Sequence, residues 1–276
     1  MNIPIGLFVE KFIDFLLNNF QPVFSSISKT IEGFMSSVEG ALLYLPPLIF
    51  MVILALFAWF LANRNIAIFT ILSLLLVFGM GLWVSFVQTF VLVIVSGIFS
   101  LIIGIPMGIL SSSYRTLDRV TTPILDLMQT MPPFVYLIPA VMFFGIGQVP
   151  GVISTVIFAM PPAIRLTKLG LKQVPDELEE VGHSFGLKPM EMLFKIKLPM
   201  ALPSIMAGIN QSIMLSLSMV VIASMIGASG LGSKVLNGIQ RMEIGIGFEA
   251  GLSVVILAII LDRITGNIKF NRKKSV

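Results

Sequence analysis

The chain has no cysteine, which excludes disulfides, thiolate chemistry and cysteine-ligated metal. Its one histidine, His183, argues against a histidine metal site and leaves no histidine base beside a nucleophile. Charge is scarce too. Only 12% of the 276 residues are Asp, Glu, Lys or Arg, against about 25% in a soluble domain. With 56% hydrophobic residues and a mean hydropathy of +0.99, so little charge cannot cover a water-facing surface. No Gly-x-x-x-x-Gly-Lys-Ser/Thr loop is present to cradle phosphates, so the chain is not expected to hydrolyse ATP alone or to bind a cofactor. A basic n-region is missing ahead of the first apolar stretch, which Glu10 and Asp14 interrupt, so no cleavable signal is expected. The net charge of +4 lies between apolar stretches, as membrane topology requires, and does not form a groove for nucleic acid.

What the sequence has is apolar length. Spanning a bilayer takes about 20 mostly apolar residues, and runs near 43–62, 66–84, 87–110, 123–145, 149–167, 203–226 and 246–263 qualify. The expected fold class is therefore an all-α membrane protein with about seven transmembrane helices. Ahead of them Ile5, Phe8, Val9, Phe12, Ile13, Leu16, Leu17 and Phe20 fall at helical spacing, with Glu10, Lys11, Asp14 and Asn18 mostly between. This is an amphipathic helix for the membrane interface, in contact with lipid. Pro22 is expected to break it, and a second stripe runs from Phe24 to Val38. Trp83 is read as an interfacial anchor.

Basic residues set the orientation. With the N-terminus outside and seven spans, the cytoplasmic segments hold Arg64, Arg115, Arg119, Arg165, Lys168, Lys172, Lys188, Lys195, Lys197, Arg263, Lys269, Arg272, Lys273 and Lys274. Only Lys11, Lys29, Lys234 and Arg241 then lie outside, and the C-terminus is inside.

The longest connection, 168–202, is polar and folded in kind. Asp176 is expected to cap a short helix with Glu179 closing a capping box. Gly186 ends that helix, Lys188-Pro189 starts another, and Pro199 stops it.

Within this loop Glu180-Val181-Gly182, three residues, Gly186, nine residues and Ile196-Lys197-Leu198-Pro199 resemble the Glu-Ala-Ala loop of ABC-importer permeases. Val181 and Gly182 stand in the two alanine positions. Segments 125–132, 149–152, 218–227 and 261–265 are similar to the glycine betaine/proline permease group, the ProW and OpuAB type. The resemblance implies a type I ABC-importer permease fold in a bacterial cytoplasmic membrane. It divides the chain into an amphipathic region 1–40, two scaffold spans 41–84, a permease core 85–265 and a basic tail 266–276. It implies a homodimer of the permease, a pair of ATPase subunits carrying ATP and Mg, and an extracytoplasmic solute-binding protein that delivers a quaternary ammonium osmoprotectant such as glycine betaine. It places ATPase coupling on Glu179, Glu180, Gly182, Gly186, Ile196, Leu198 and Pro199.

Other readings stay open. The motif is shared by permeases for other small solutes, such as amino acids or choline, and a secondary carrier or channel would need no such loop. Gln129, Tyr136, Asn210, Gln211 and Ser216 either line a translocation route or join helices through hydrogen bonds. Lys188, Lys195 and Lys197 either contact the partner or only set topology.

Overall fold

A computed structural model describes residues 5–267, and the tail residues Lys269, Arg272, Lys273 and Lys274 lie outside the described residues. The described chain is helical: α1 (Ile5–Tyr44), α2 (Pro47–Leu61), α3 (Arg64–Gly79), α4 (Trp83–Ser113), α5 (Arg115–Thr130), α6 (Phe134–Phe144), α7 (Gln148–Lys172), α8 (Asp176–Ser184), α9 (Pro189–Met192), a π turn (Leu193–Lys197), α10 (Leu198–Ser224), α11 (Leu231–Gln240) and α12 (Ile244–Gly266).

Three helices form the centre. α4 and α7 run parallel, with Gly104 against Ala163 and Gly108 against Thr167. A Cβ at Gly108 would lie 2.8 Å from the Ile164 carbonyl oxygen, so only glycine permits this approach. α10 runs antiparallel to both, and Gly170 meets Ser204 and Ala201 across it. Close packing of small residues replaces the hydrophobic drive that lipid cannot supply. α12 closes on α10 where Asn210 donates to Asp262 at 3.1 Å and Thr265 donates to Asn210. At the opposite end Glu39 of α1 accepts from Gln88 of α4 at 2.9 Å, and Gln148 of α7 donates to Ser229 at 2.6 Å.

Among the described residues four helices are each long and apolar enough to cross a membrane, or six spans if each bent pair counts as one. The seven apolar runs all have helical counterparts, but α3 is a shorter apolar helix and the run 123–145 is divided. There α5 and α6 meet at 101°, because Pro132 and Pro133 interrupt the hydrogen-bond ladder.

Several local expectations are corrected. Pro22 does not break α1, which continues from Ile5 to Tyr44. A proline inside a helix costs about 3 kcal/mol, and tertiary contacts offset it: Ile13 and Met35 are buried, and Phe24 stacks on Phe143 at 4.6 Å. α1 meets α2 at 104° and leaves Phe8, Phe12, Phe15 and Phe20 exposed. Trp83 is not a surface anchor. It is buried against Phe50, Phe78 and Phe86. Asp176 is the first residue of α8 and not its cap; Pro175 holds the cap position, and no side-chain cap bond forms. Pro199 does not stop a helix either. In the π turn the Leu198 N–H reaches back to the Leu193 carbonyl, and this wider winding carries the chain through Pro199 into α10.

Candidate functional site

The motif residues form one hairpin. α8 begins with Asp176, Glu177 and Glu179 in its first turn, where carboxylates suit the positive end of the helix dipole. It ends in a Schellman motif: the Gly186 N–H donates to His183 at 2.9 Å and the Leu187 N–H to Gly182 at 3.0 Å. Gly186 has φ +73°, a left-handed conformation that a side chain disfavours by about 1–2 kcal/mol. The chain then folds back through α9, started by Glu191, whose Oε2 accepts from the Lys188 N–H at 3.0 Å.

The two halves of the motif touch. A Cβ at Gly182 would lie 2.5 Å from Met192 Cε and 2.9 Å from Ile196 Cδ1, so the second small-residue position is small because α8 crosses α9 and the π turn there. Glu179 forms no capping box. It pairs instead with Lys197 at 2.7 Å, above a polar cavity of about 210 Å³ that Ser112, Lys172 and Asp176 also line. Leu198 packs on the small cluster of Leu171, Ala201 and Ile205, which fastens the hairpin to α7 and α10. Pro199 is exposed. The outward surface of the hairpin offers Glu180, Val181, His183, Phe185, Met190 and Phe194, with Phe185 82% exposed. Glu179 and Lys197 are therefore internal fasteners, and Glu180 is open. The Glu191 carboxyl is held below its ordinary value by the Lys188 N–H and then by the Lys195 ammonium at 3.0 Å.

The route candidates separate. Asn210 is spent on Asp262 and Thr265 and so joins α10 to α12, whereas Ser216 is buried and donates within α10 to the Ser212 carbonyl at 3.0 Å. Tyr136 is buried and its hydroxyl donates to the Met128 carbonyl at the α5–α6 break. Gln129 and Gln211 are exposed.

The sequence reading missed a charge ladder between α5 and α7. Asp118 pairs with Lys168 and Lys172, each at 2.6 Å, and Asp126 pairs with Arg165 at 2.5 Å. The signal was in the spacing: Asp118, Thr122 and Asp126 share one helical face, as do Arg165, Lys168 and Lys172. Read as topology markers, the three cations hid their partners.

The family model described as "Binding-protein-dependent transport system inner membrane component" matches residues 100–273. The chain is 48% identical over 271 residues to the glycine betaine transport system permease protein OpuAB of Bacillus subtilis, covering 98% of this chain and 96% of that protein. It is 48% identical over 276 residues to the glycine betaine/carnitine transport permease protein GbuB of Listeria monocytogenes, covering 98% and 96%. It is 45% identical over 263 residues to the glycine betaine/proline betaine transport system permease protein ProW of Escherichia coli, covering 95% and 74%. Among solved structures, a chain of the MetNI methionine ABC transporter in an inward-facing conformation superposes with a TM-score of 0.61 at 23% identity, covering 68% of this chain and 96% of that one; the likeness is one of fold.

Proposed function

The chain belongs to the family of binding-protein-dependent transport system inner membrane components, and from that membership we propose that it is the membrane-spanning subunit of an ATP-driven importer of glycine betaine. The observation that carries the substrate is the 48% identity to a glycine betaine permease over 98% of the chain. Two copies form the pathway, a pair of ATPase subunits binds ATP and Mg and docks on the α8–α9 hairpin, and a solute-binding protein delivers the betaine from the far side. The hairpin suits docking because its fold is fixed from within, by Gly182, the Glu179–Lys197 pair and the left-handed Gly186, while Glu180, Phe185 and Phe194 face outward.

The hairpin faces the cytoplasm. It shares one end of the bundle with Arg115, Arg119, Lys172 and Arg263, on helices tied together by the Gly170–Ser204 and Asn210–Asp262 contacts. The positive-inside rule assigns that end to the cytoplasm. In this cysteine-free chain a cysteine at the exposed Phe185 position labels only from the cytoplasmic side and one at the N-terminus only from outside; labelling of the hairpin from outside overturns the assignment.

The functional test is reconstitution in proteoliposomes with the ATPase and the binding protein, comparing betaine, carnitine, choline and proline. Parent complex takes up betaine. Gly186→Glu inserts normally but loses most ATPase association and uptake. No Cβ clash awaits it within 4 Å, so the damage comes from the left-handed backbone and from charge on the docking surface. Normal uptake and association in this variant removes the hairpin from the coupling surface.

A further inference from the structure

The α5–α6 break carries a charge pair that is left open. Two rungs join α5 to α7, and they differ. In the lower rung both Asp118 oxygens are used: Oδ1 by Lys168 and Thr122, Oδ2 by Lys172. The Asp118 side chain is only 19% exposed. In the upper rung one Asp126 oxygen meets one Arg165 nitrogen. The second oxygen and the rest of the guanidinium edge have no partner among the described residues, and the two side chains are 60% and 37% exposed. An ion pair within an apolar region is expensive unless it faces protein or water, and a single contact between exposed partners returns little stability.

Beyond this rung α5 ends at Thr130. Pro132 and Pro133 have no N–H, so the carbonyls of Met128 and Gln129 lose their helical donors. The Tyr136 hydroxyl replaces one, at Met128. The Gln129 carbonyl has no donor among the described residues, and it lies one turn from Asp126. The end of α5 is thus a region of negative partial charge beside a carboxylate. Arg165 adds a cation whose planar fork suits a carboxylate. Interrupted membrane helices hold ions and zwitterions with such half-helix ends.

We propose that the α5–α6 break is a recognition site for a zwitterionic quaternary ammonium solute, with its cation at Asp126 and the α5 carbonyl end and its carboxylate on the free edge of Arg165. The site rests on the importer reading above and deepens it: the permease itself selects for both charges of the solute. A quaternary ammonium has no N–H, so it is held by charge, which Asp126 and the α5 carbonyl end supply, whereas the carboxylate needs a donor and finds Arg165.

The test is equilibrium binding of radiolabelled glycine betaine to the purified permease–ATPase complex without binding protein, in nanodiscs of phosphatidylglycerol, so that no lipid headgroup supplies a quaternary ammonium. Parent complex binds betaine saturably and prefers it to choline. Losing a charge-assisted contact in Arg165→Gln or Asp126→Asn weakens betaine binding about tenfold or more. Arg165→Lys, which keeps the charge without the fork, recovers part of it, and Arg165→Gln loses the preference over choline. Lys172→Gln, in the lower rung where Lys168 still holds Asp118, stays within about twofold of parent. Asp126→Asn keeps a hydrogen-bond acceptor for Arg165, so it reports on charge in a folded protein. Three results overturn the site: no saturable binding by the parent, equal losses in Arg165→Gln and Lys172→Gln, or an unchanged preference over choline in Arg165→Gln. Uptake by the parent complex with its binding protein separates the two readings. Uptake without permease binding removes the site alone, and absence of uptake removes the importer assignment.

Discussion

The α8–α9 hairpin closes over residues 176–197, while the α5–α7 ladder pairs residues 39 to 54 positions apart. Both structures fasten to α7 at the same end of the bundle. The hairpin is held mainly by backbone geometry, through a left-handed Gly186 and a Gly182 that admits Met192 and Ile196, with one ion pair, Glu179–Lys197, across it. The ladder is held by charge. The difference teaches where each can yield. A backbone-determined turn keeps its shape when a partner pulls on it, whereas ion pairs separate and re-form as helices move. The proposed docking surface calls for the first property, and the proposed recognition site at the α5–α6 break for the second.

The largest effect is expected at the closed rung of the ladder. Asp118→Ala leaves Lys168, which is only 18% exposed, without its counter-charge. Breaking a buried pair from one side costs about 3–5 kcal/mol, and the partial exposure here puts the loss near the lower end, at about 3 kcal/mol. Asp126→Ala removes a single contact between more exposed groups and costs about 0–1 kcal/mol. Thermal unfolding of the purified protein at matched detergent and salt measures the gap. Equal destabilisation by the two variants abolishes the distinction between a closed and an open rung.

A smaller effect is expected at Gly182, where the hairpin is most closely packed. Gly182→Leu forces bulk against Met192 and Ile196, and overpacking of this kind costs about 1–3 kcal/mol. The nearest atoms, Met192 Cε and Sδ, are the flexible end of a side chain, so Gly182→Ala is milder. Co-purification of the ATPase with the permease reads the result: strong loss for leucine, partial loss for alanine. Adding Met192→Ala to Gly182→Leu restores part of the association, because the two changes act on one contact. Independent, additive losses show that α8 is not positioned by this packing.

How much of this was legible follows from the same contrast. The bend at Gly186 and the helices on either side of it were readable, because glycine and proline act on their own backbone. The apolar runs located the helices for a similar reason, since a span needs local apolar length. Partners were not readable. Glu179 was placed in a local capping box with Asp176, but Lys197 competes for it from across the hairpin. Trp83 was placed at a surface because tryptophan favours interfaces, but Phe50, Phe78 and Phe86, brought together by folding, bury it. Pro22 and Pro199 were read as helix ends from local strain alone. Packing at Phe24 and the π turn before Pro199 keep those helices going. Arg165, Lys168 and Lys172 carried two messages at once, topology and pairing, and the sequence pattern displayed only the first.

The smallest effect is expected at Glu191, and its pH dependence sharpens the comparison most. Glu191 starts α9 with two contacts, one to backbone and one to charge: Oε2 accepts from the Lys188 N–H and Oε1 meets the Lys195 ammonium, each at 3.0 Å. Both favour the ionised form and hold the carboxyl below its ordinary value. A depressed carboxyl contributes stability above its unfolded pKa, about 4.3, and loses it as pH falls through the folded pKa. Between about pH 6 and 8 the contribution is therefore constant. Glu191→Gln keeps an acceptor for the Lys188 N–H and loses only the charge. The hairpin, held mainly by its glycines, keeps its shape, and uptake at pH 7 stays within about twofold of parent. In unfolding measured across pH, parent exceeds the variant by a constant small margin down to about pH 5, and the margin shrinks below about pH 4. A margin that changes between pH 6 and 8 cannot come from this carboxyl. The hairpin would then be held by a charged contact other than this one, as the ladder is, and not mainly by its glycines.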